Sequence, residues 1–191
     1  MRKIRIFEHI SLDGFIERGD DDTIGPWSVP YRSPDGRALL MEAHGTGYDL
    51  LLGRRTYDLW ANFWPKNVNN PMGVGLNAAT KYVATHRPDS LGWGPVKDLG
   101  TDIIDGVRRI KSKDGPDLIV WGSTTLTPLL LGEGLADEVV LIIYPVLLGR
   151  GLRFFSDSVS PRKLALISTK TTPTGVLLNS YRHVGSLQTA P

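Results

Sequence analysis

The sequence predicts a layered α/β domain, and three observations carry that prediction. Short runs of β-branched and aliphatic residues alternate with segments of helical apolar spacing along most of the chain. Glycine, proline and asparagine clusters punctuate the runs where turns are needed. The length, 191 residues, fits one substantial core and would be cramped for two.

The elements follow in order. Ile4, Ile6 and their neighbours read as a first strand, and residues 48–52, Tyr-Asp-Leu-Leu-Leu, as a buried strand ending at Gly53. Thr56 to Phe63 follows as a short helix stopped before Pro65. The Pro, Gly and Asn cluster from Pro65 to Gly75 reads as a loop, and Lys81 to Thr85 as another strand. Ile103, Ile104, Val107 and Ile110 give residues 101–110 the spacing of an amphipathic helix. Leu118 to Trp121 is a buried strand, Ser123 to Leu131 a helix with Pro128 as an irregularity, and Glu138 to Tyr144 a strongly β-branched strand. Two late strands, Leu164 to Thr171 and Val176 to Arg182, flank the turn residues Pro173, Thr174 and Gly175. No repeat of fixed period appears. The chain is therefore read as one domain over residues 1–185 with a flexible tail over 186–191.

Composition removes several classes of function. Without cysteine there are no disulfides, thiolate nucleophiles or cysteine-ligated metals. His9, His44, His86 and His183 lack ligand spacing, so no metal site is expected. The 22 basic and 20 acidic residues are interspersed, leaving no broad basic face for nucleic acid or anionic lipid. The longest apolar run, Val139 to Leu148, is short and interrupted by Pro145, and residues 1–7 do not read as a signal peptide. A cytoplasmic protein is expected. No Ser/His/Asp set stands in a nucleophile-elbow context.

Three segments place glycine, hydroxyl or basic residues just past a strand: Gly53-Arg54-Arg55-Thr56, Thr85-His86-Arg87 and Gly122-Ser123-Thr124-Thr125. Unpaired N–H groups at a helix start, aligned with the helix dipole, suit a phosphate. Glycine permits close backbone approach, and guanidinium groups meet phosphate oxygens in bidentate geometry. Singly, each segment has many chance matches; their combination in one small α/β domain points to a nucleotide phosphate site. By contrast Gly73-Val74-Gly75-Leu76-Asn77-Ala78 mimics a dinucleotide fingerprint but follows Asn69-Asn70-Pro71, where a strand is required, and is read as loop.

These segments resemble the dihydrofolate-reductase-like superfamily. Residues 48–57 look like the strand and helix that hold the NADPH phosphates there, and residues 11–16, Ser-Leu-Asp-Gly-Phe-Ile, resemble the loop after the first strand. Residues 132–138, then 144–151 (Tyr-Pro-Val-Leu-Leu-Gly-Arg-Gly), ending in Phe154-Phe155, are similar to the branch of the riboflavin biosynthesis reductase domain. The resemblance implies a three-layer α/β/α sandwich with a central mixed, mostly parallel sheet. It also implies NADPH as cofactor, with Gly53 to Thr56 and Gly122 to Leu126 at the pyrophosphate and Thr85, His86 and Arg87 at the adenosine 2′-phosphate. His9, Ser11 and Ile16 would line the nicotinamide side. Many members have a glycine pair where this chain has Trp121-Gly122.

Residues 26–30, Pro-Trp-Ser-Val-Pro, resemble the start of the substrate helix in true dihydrofolate reductases, making Trp27 and Arg32 candidate pocket residues. A carboxylate should follow to grip the pterin; Arg32 stands at the matching position, which weakens the folate reading. Asp13 is a candidate general acid, or a cap for the turn at Gly14. Tyr57 either presents its hydroxyl to the pocket or packs its helix on the sheet. Trp60, Phe63 and Trp64 are core or pocket wall. The expected function is hydride transfer from NADPH to a small heterocyclic or carbonyl substrate, with a homodimer expected from the resemblance. The alternatives are the riboflavin-pathway 5-amino-6-(5-phosphoribosylamino)uracil reductase itself, and a non-catalytic NADPH-binding module. The fused deaminase domain of many riboflavin reductases, with its zinc-binding cysteines, has no counterpart in the sequence, which suggests a stand-alone relative.

Overall fold

The computed structural model describes residues 1–16, 27–155 and 160–188. Eight strands form one sheet: β1 (Ile4–Ser11), β2 (Asp49–Gly53), β3 (Lys81–Ala84), β4 (Val96–Asp98), β5 (Leu118–Trp121), β6 (Glu138–Tyr144), β7 (Arg162–Thr171) and β8 (Leu177–Ser186). Their spatial order is β4-β3-β2-β5-β1-β6-β8-β7. The first six in that order pair in parallel, and β8 enters antiparallel to both β6 and β7. Strands covered on both faces must be apolar on both, which is why β2 and β5 read as near-continuous hydrophobic runs.

Alternate residues of those strands divide between two cores. Ile4, Ile6, Leu51, Leu118, Val120 and Val139 pack under α4 (Ile103–Ser112) and α5 (Leu126–Gly132). Phe7, Leu50, Leu52, Val83, Ile119 and Val140 face the other way, toward α1 (Pro34–His44), α2 (Arg54–Phe63) and α3 (Pro71–Ala78). The architecture is thus the expected three-layer sandwich around a mixed, mostly parallel sheet. Polar groups tie one edge of the parallel strands: Arg2 Nη2 donates to Asp49 Oδ2 (2.5 Å) and the Ile4 amide to Asp137 Oδ2 (2.7 Å). At the opposite, C-terminal edge the strands open into turns, the usual place for a ligand in an α/β sheet.

Several local expectations need correction. Residues 71–78 are helical rather than loop: Asn70 caps α3 by accepting from the Met72 amide (3.0 Å), and Pro71 fills its first turn. Its glycines serve packing, since a Cβ at Gly73 would stand 2.5 Å from Asn67 O and one at Gly75 2.8 Å from Tyr48 Oη. Helix α5 begins at Leu126, not Ser123, so Pro128 lies in the first turn, where its missing N–H has no helical partner to lose. Of the stretch expected to open a helix at residues 26–30, Val29 and Pro30 lie in a 3-10 turn (Val29–Tyr31), the α-helix that follows begins at Pro34, capped by Ser33, and Pro26 lies outside the described residues. Strand β8 runs on through Ser186, the first residue of the expected tail, while residues 189–191 lie outside the described chain. Strand β4 had no apolar alternation by which to announce itself: its burial runs from intermediate to exposed.

Candidate functional site

The turns at the C-terminal edge enclose a cleft of about 1380 Å³, larger than the roughly 300 to 1,000 Å³ that a drug-sized ligand needs. All three sequence segments line it: Gly53 to Thr56, Thr85 to Arg87, and Gly122 to Leu126. They come from the ends of β2, β3 and β5, which are neighbours in the sheet, and this adjacency is what the chain order alone could not display.

At this end the turns are built for close approach. A Cβ on Gly53 would collide with Ser123 Oγ and lie 3.0 Å from Ser123 Cβ, so the β2–α2 and β5–α5 turns touch only because Gly53 has no side chain. Having none, Gly53 also cannot cap α2, and no acidic residue occupies the first turn of that helix. Its leading N–H groups therefore keep their affinity for an anion. Gly122 takes φ 62° and Ser123 φ 65°. Ser123 thus holds a left-handed conformation that a glycine would adopt freely, at a cost of roughly 1 to 2 kcal/mol. Ser123 Oγ in turn accepts from the Leu126 amide (3.1 Å).

The two arginines of the first segment divide their work. Arg54 is a strut: Nε donates to both oxygens of Asp58 (2.8 and 2.9 Å), and Nη1 to Thr85 Oγ1 (3.2 Å), Arg87 O (3.0 Å) and Ser90 Oγ (2.8 Å). It joins α2 to the turn after β3 and sets where His86 and Arg87 stand, both exposed at the cleft rim. Arg55 and Thr56 also line the cleft.

The other end is walled by aromatic rings. Trp121, Tyr144, Trp60 and Tyr31 line it, with Arg32 and Arg37 nearby. His9 stacks on Trp121 at 5.2 Å between centroids, and its Nδ1 lies 3.0 Å from Tyr144 Oη. Behind Trp121, the indole N–H donates to Nε2 of buried His44 (3.0 Å). Burial, reinforced by Arg5 and His9, pushes the His44 imidazole down to about 4. It is neutral at pH 7 and accepts that bond.

Not every expected residue reaches the cleft. Ser11 is fully buried beneath it, donating to Asp13 Oδ1 (2.5 Å) and accepting from the Phe15 amide (2.9 Å). Asp13 lies off the cleft and does not fit a general acid. It accepts from the amides of Leu148 (3.2 Å) and Gly149 (2.7 Å), clamping the turn after β1 to the segment after β6. Burial alone would raise its carboxyl, but the bonds from Ser11, Gly149 and Leu148 outweigh it and hold the group below the usual carboxylate range. Tyr57 is also turned away: it is buried, and its hydroxyl accepts from the Trp93 amide (2.6 Å), anchoring α2. Trp27 lies behind the wall, edge-on to Tyr144 at 5.2 Å, whereas Arg32 lines the cleft and donates from Nη2 to Ser28 Oγ (3.1 Å). Ile16 and His9 line it as expected.

Sequence reasoning missed Glu8, Trp121 and Tyr144 as lining residues. For Glu8 a signal existed: a carboxylate in a central strand, only 7% exposed, is costly unless it is paired or has work to do. Its Oε1 accepts from the His9 amide (2.9 Å), and Oε2 would stand 3.4 Å from a Cβ on Gly122. Among the described residues no cluster of His, Asp or Glu could hold a metal ion, and no helix is long and apolar enough to cross a membrane.

Sheet order, helix placement and a cleft across the strand ends define an α/β protein of the dihydrofolate-reductase-like fold. A solved dihydrofolate reductase from Enterococcus faecalis, complexed with NADP(H), superposes with a TM-score of 0.61 at 13% identity, over 95% of this chain and 96% of that one. A riboflavin biosynthesis protein from Shewanella sp. PV-4, described as putative, superposes with a TM-score of 0.69 at 23% identity, over 95% and 98%. In sequence the chain is 28% identical to YyaP of Bacillus subtilis over 189 residues, 96% of each chain. Residues 2–178 match the model of the RibD C-terminal domain, and the chain belongs to that family.

Proposed function

We propose that this chain is an NADPH-dependent reductase of a small, flat heterocyclic or carbonyl substrate. One observation carries the reading: a single cleft joins an anion-adapted end, where the Gly53 and Gly122 turns meet over the uncapped start of α2, to an aromatic-walled end holding His9 and Tyr144. The residues fit the dinucleotide. Thr56 and the leading amides of α2 would hold the pyrophosphate, while His86 and Arg87 at the rim would meet the 2′-phosphate. Ile16 and His9 would border the nicotinamide, which when bound supplies the hydride. This chain's residues orient the two reactants, exclude water and manage the proton.

Dihydrofolate is a poor candidate for the second ligand. Helix α1 sends no carboxylate to the cleft: Asp35 is exposed in its first turn, and the lining residues near it are Arg32, Ser33, Gly36 and Arg37. The N–H donors of a pterin would lack their acceptor there, costing roughly 1 to 3 kcal/mol each. The ribosylated pyrimidine of the riboflavin pathway stays within the substrate class, supported by the family. A binding module without turnover is the reading from outside enzymology.

Consumption of NADPH, followed by loss of reduced-nicotinamide absorbance across a panel of quinones, ketones and pyrimidines, tests the proposal. Saturable turnover of at least one panel member is expected, with dihydrofolate undetectable or very slow and not restored by Arg32→Asp. Tight NADPH binding with no turnover of any compound would favour the binding module.

A further inference from the structure

We infer that His9 and Tyr144 form a proton-delivering pair for the reduced substrate, an inference that rests on the reductase reading above. The two residues come from adjacent parallel strands whose register sets Ser11 opposite Tyr144, so that His9 two residues back reaches the tyrosine hydroxyl along the strand. Both line the cleft at its aromatic end, and His9 Nδ1 lies 3.0 Å from Tyr144 Oη. Neither Asp13 nor Asp35 can take the role, because Asp13 is committed to backbone amides and Asp35 is not at the cleft.

The pair is held on three sides. Trp121 stacks on the His9 ring with an interplanar angle of 22°, and Trp27 and Tyr31 meet the Tyr144 ring edge-on at 5.2 and 6.1 Å. Trp121 is fixed from behind by its bond to His44. His44 is therefore a positioning residue: it fixes the indole, and the indole fixes His9. Around His9, the titratable and charged groups among the described residues include Glu8, which accepts from its amide on β1; Tyr144 on β6; His44 on α1, behind Trp121; Arg5 further along β1; and Tyr31 and Arg32, which share the cleft.

Hydride adds to the carbon of a C=O or C=N bond, and the π pair moves to the heteroatom, which takes the Tyr144 hydroxyl proton. Tyr144 recovers a proton from Nδ1 of the His9 imidazolium, leaving neutral imidazole, which water reprotonates between turnovers. The competent form thus carries protonated His9, and its fraction falls as pH rises through the His9 midpoint.

The test uses the full chain in two arms: NMR titration of the His9 imidazole in the protein without added ligand, and turnover of NADPH with the planar dicarbonyl 9,10-phenanthrenequinone. Tyr144→Phe is expected to displace both the Nδ1 resonance of His9 and its midpoint. Above that midpoint kcat should fall about tenfold per pH unit; Tyr144→Phe should lower kcat roughly 100-fold or more and remove that limb. NADPH affinity and KM should stay within about twofold, as for a group used mainly in the transition state. His9→Gln supplies a second variant, which should lower kcat and remove the same limb; its NADPH affinity is not held fixed, since His9 borders the nicotinamide. Wild-type kcat and pH profile in Tyr144→Phe would overturn the pair and leave the reductase reading standing; failure to bind NADPH at all would overturn that reading instead. Should the dicarbonyl not turn over, the NMR arm decides alone: a His9 resonance indifferent to Tyr144→Phe refutes the pair, and a displaced one supports it.

Discussion

Arg87 stands exposed at the rim of the cleft, beside His86 and past the end of β3, with its backbone carbonyl held by Arg54. If Arg87 meets the 2′-phosphate as proposed, its guanidinium would discriminate between dinucleotides that differ by that phosphate. A charge-assisted hydrogen bond contributes about 1.5 to 3 kcal/mol, so Arg87→Ala should weaken NADPH about tenfold or more and leave NADH unchanged in a binding titration. Equal losses for both would place Arg87 away from the 2′-phosphate. His44 gives a second prediction at this scale. Its folded value of about 4 lies below the 6.5 of an ordinary imidazole, so between these values the unfolded chain binds a proton that the folded one refuses. The stabilisation is fully present above about pH 6.5 and is lost as pH falls from there through about 4. The full effect is roughly 3 kcal/mol, and His44→Gln should remove that part of the acid destabilisation in urea melts at about pH 4.5 and 7.

Among the elements, the two turns of the phosphate end depend on each other. Gly53→Ala forces a methyl into Ser123, an overpacking that costs about 1 to 3 kcal/mol. Ser123→Gly removes both atoms that the methyl would meet and relieves a positive φ, while giving up the bond to the Leu126 amide. The double variant should therefore recover most of the stability lost in Gly53→Ala, with a coupling of at least about 0.5 kcal/mol in a denaturation cycle; strict additivity would show that the turns do not touch. The same pair of turns marks where sequence reading stops. That glycine, hydroxyl and basic residues after β2, β3 and β5 belong to one cleft was legible, because the same residue types recur just past each strand. That Arg54 is a strut, Tyr57 an anchor and Asp13 a clamp was not, since all three depend on partners 30 or more residues distant: Thr85, Trp93 and Gly149. Helix α3 was hidden for another reason: its glycines carry packing roles that look like loop composition until Asn67 and Tyr48 are seen against them. The layered fold itself was readable, because β2, β5 and β6 are apolar on both faces and such strands need helices on each side.

For the whole molecule, β7 closes the sheet as an edge strand, and Leu166, Ile167, Val184 and Leu187 on the β7–β8 hairpin and just beyond it are exposed. An apolar edge left bare is an aggregation hazard, and pairing with a second copy would cover it. We expect a dimer by light scattering at micromolar concentration, and Leu166→Glu with Ile167→Lys should shift it to monomer without unfolding; a monomeric wild-type mass would count against this. The cleft, rather than the edge, is where NADPH selection is proposed. Calorimetric titration of the wild-type protein with NADPH and with NADH tests it most directly. The account predicts saturable one-to-one binding of NADPH, with NADH at least about tenfold weaker, equivalent to about 1.4 kcal/mol. Equal affinity for the two, or no heat of binding for either, would contradict it.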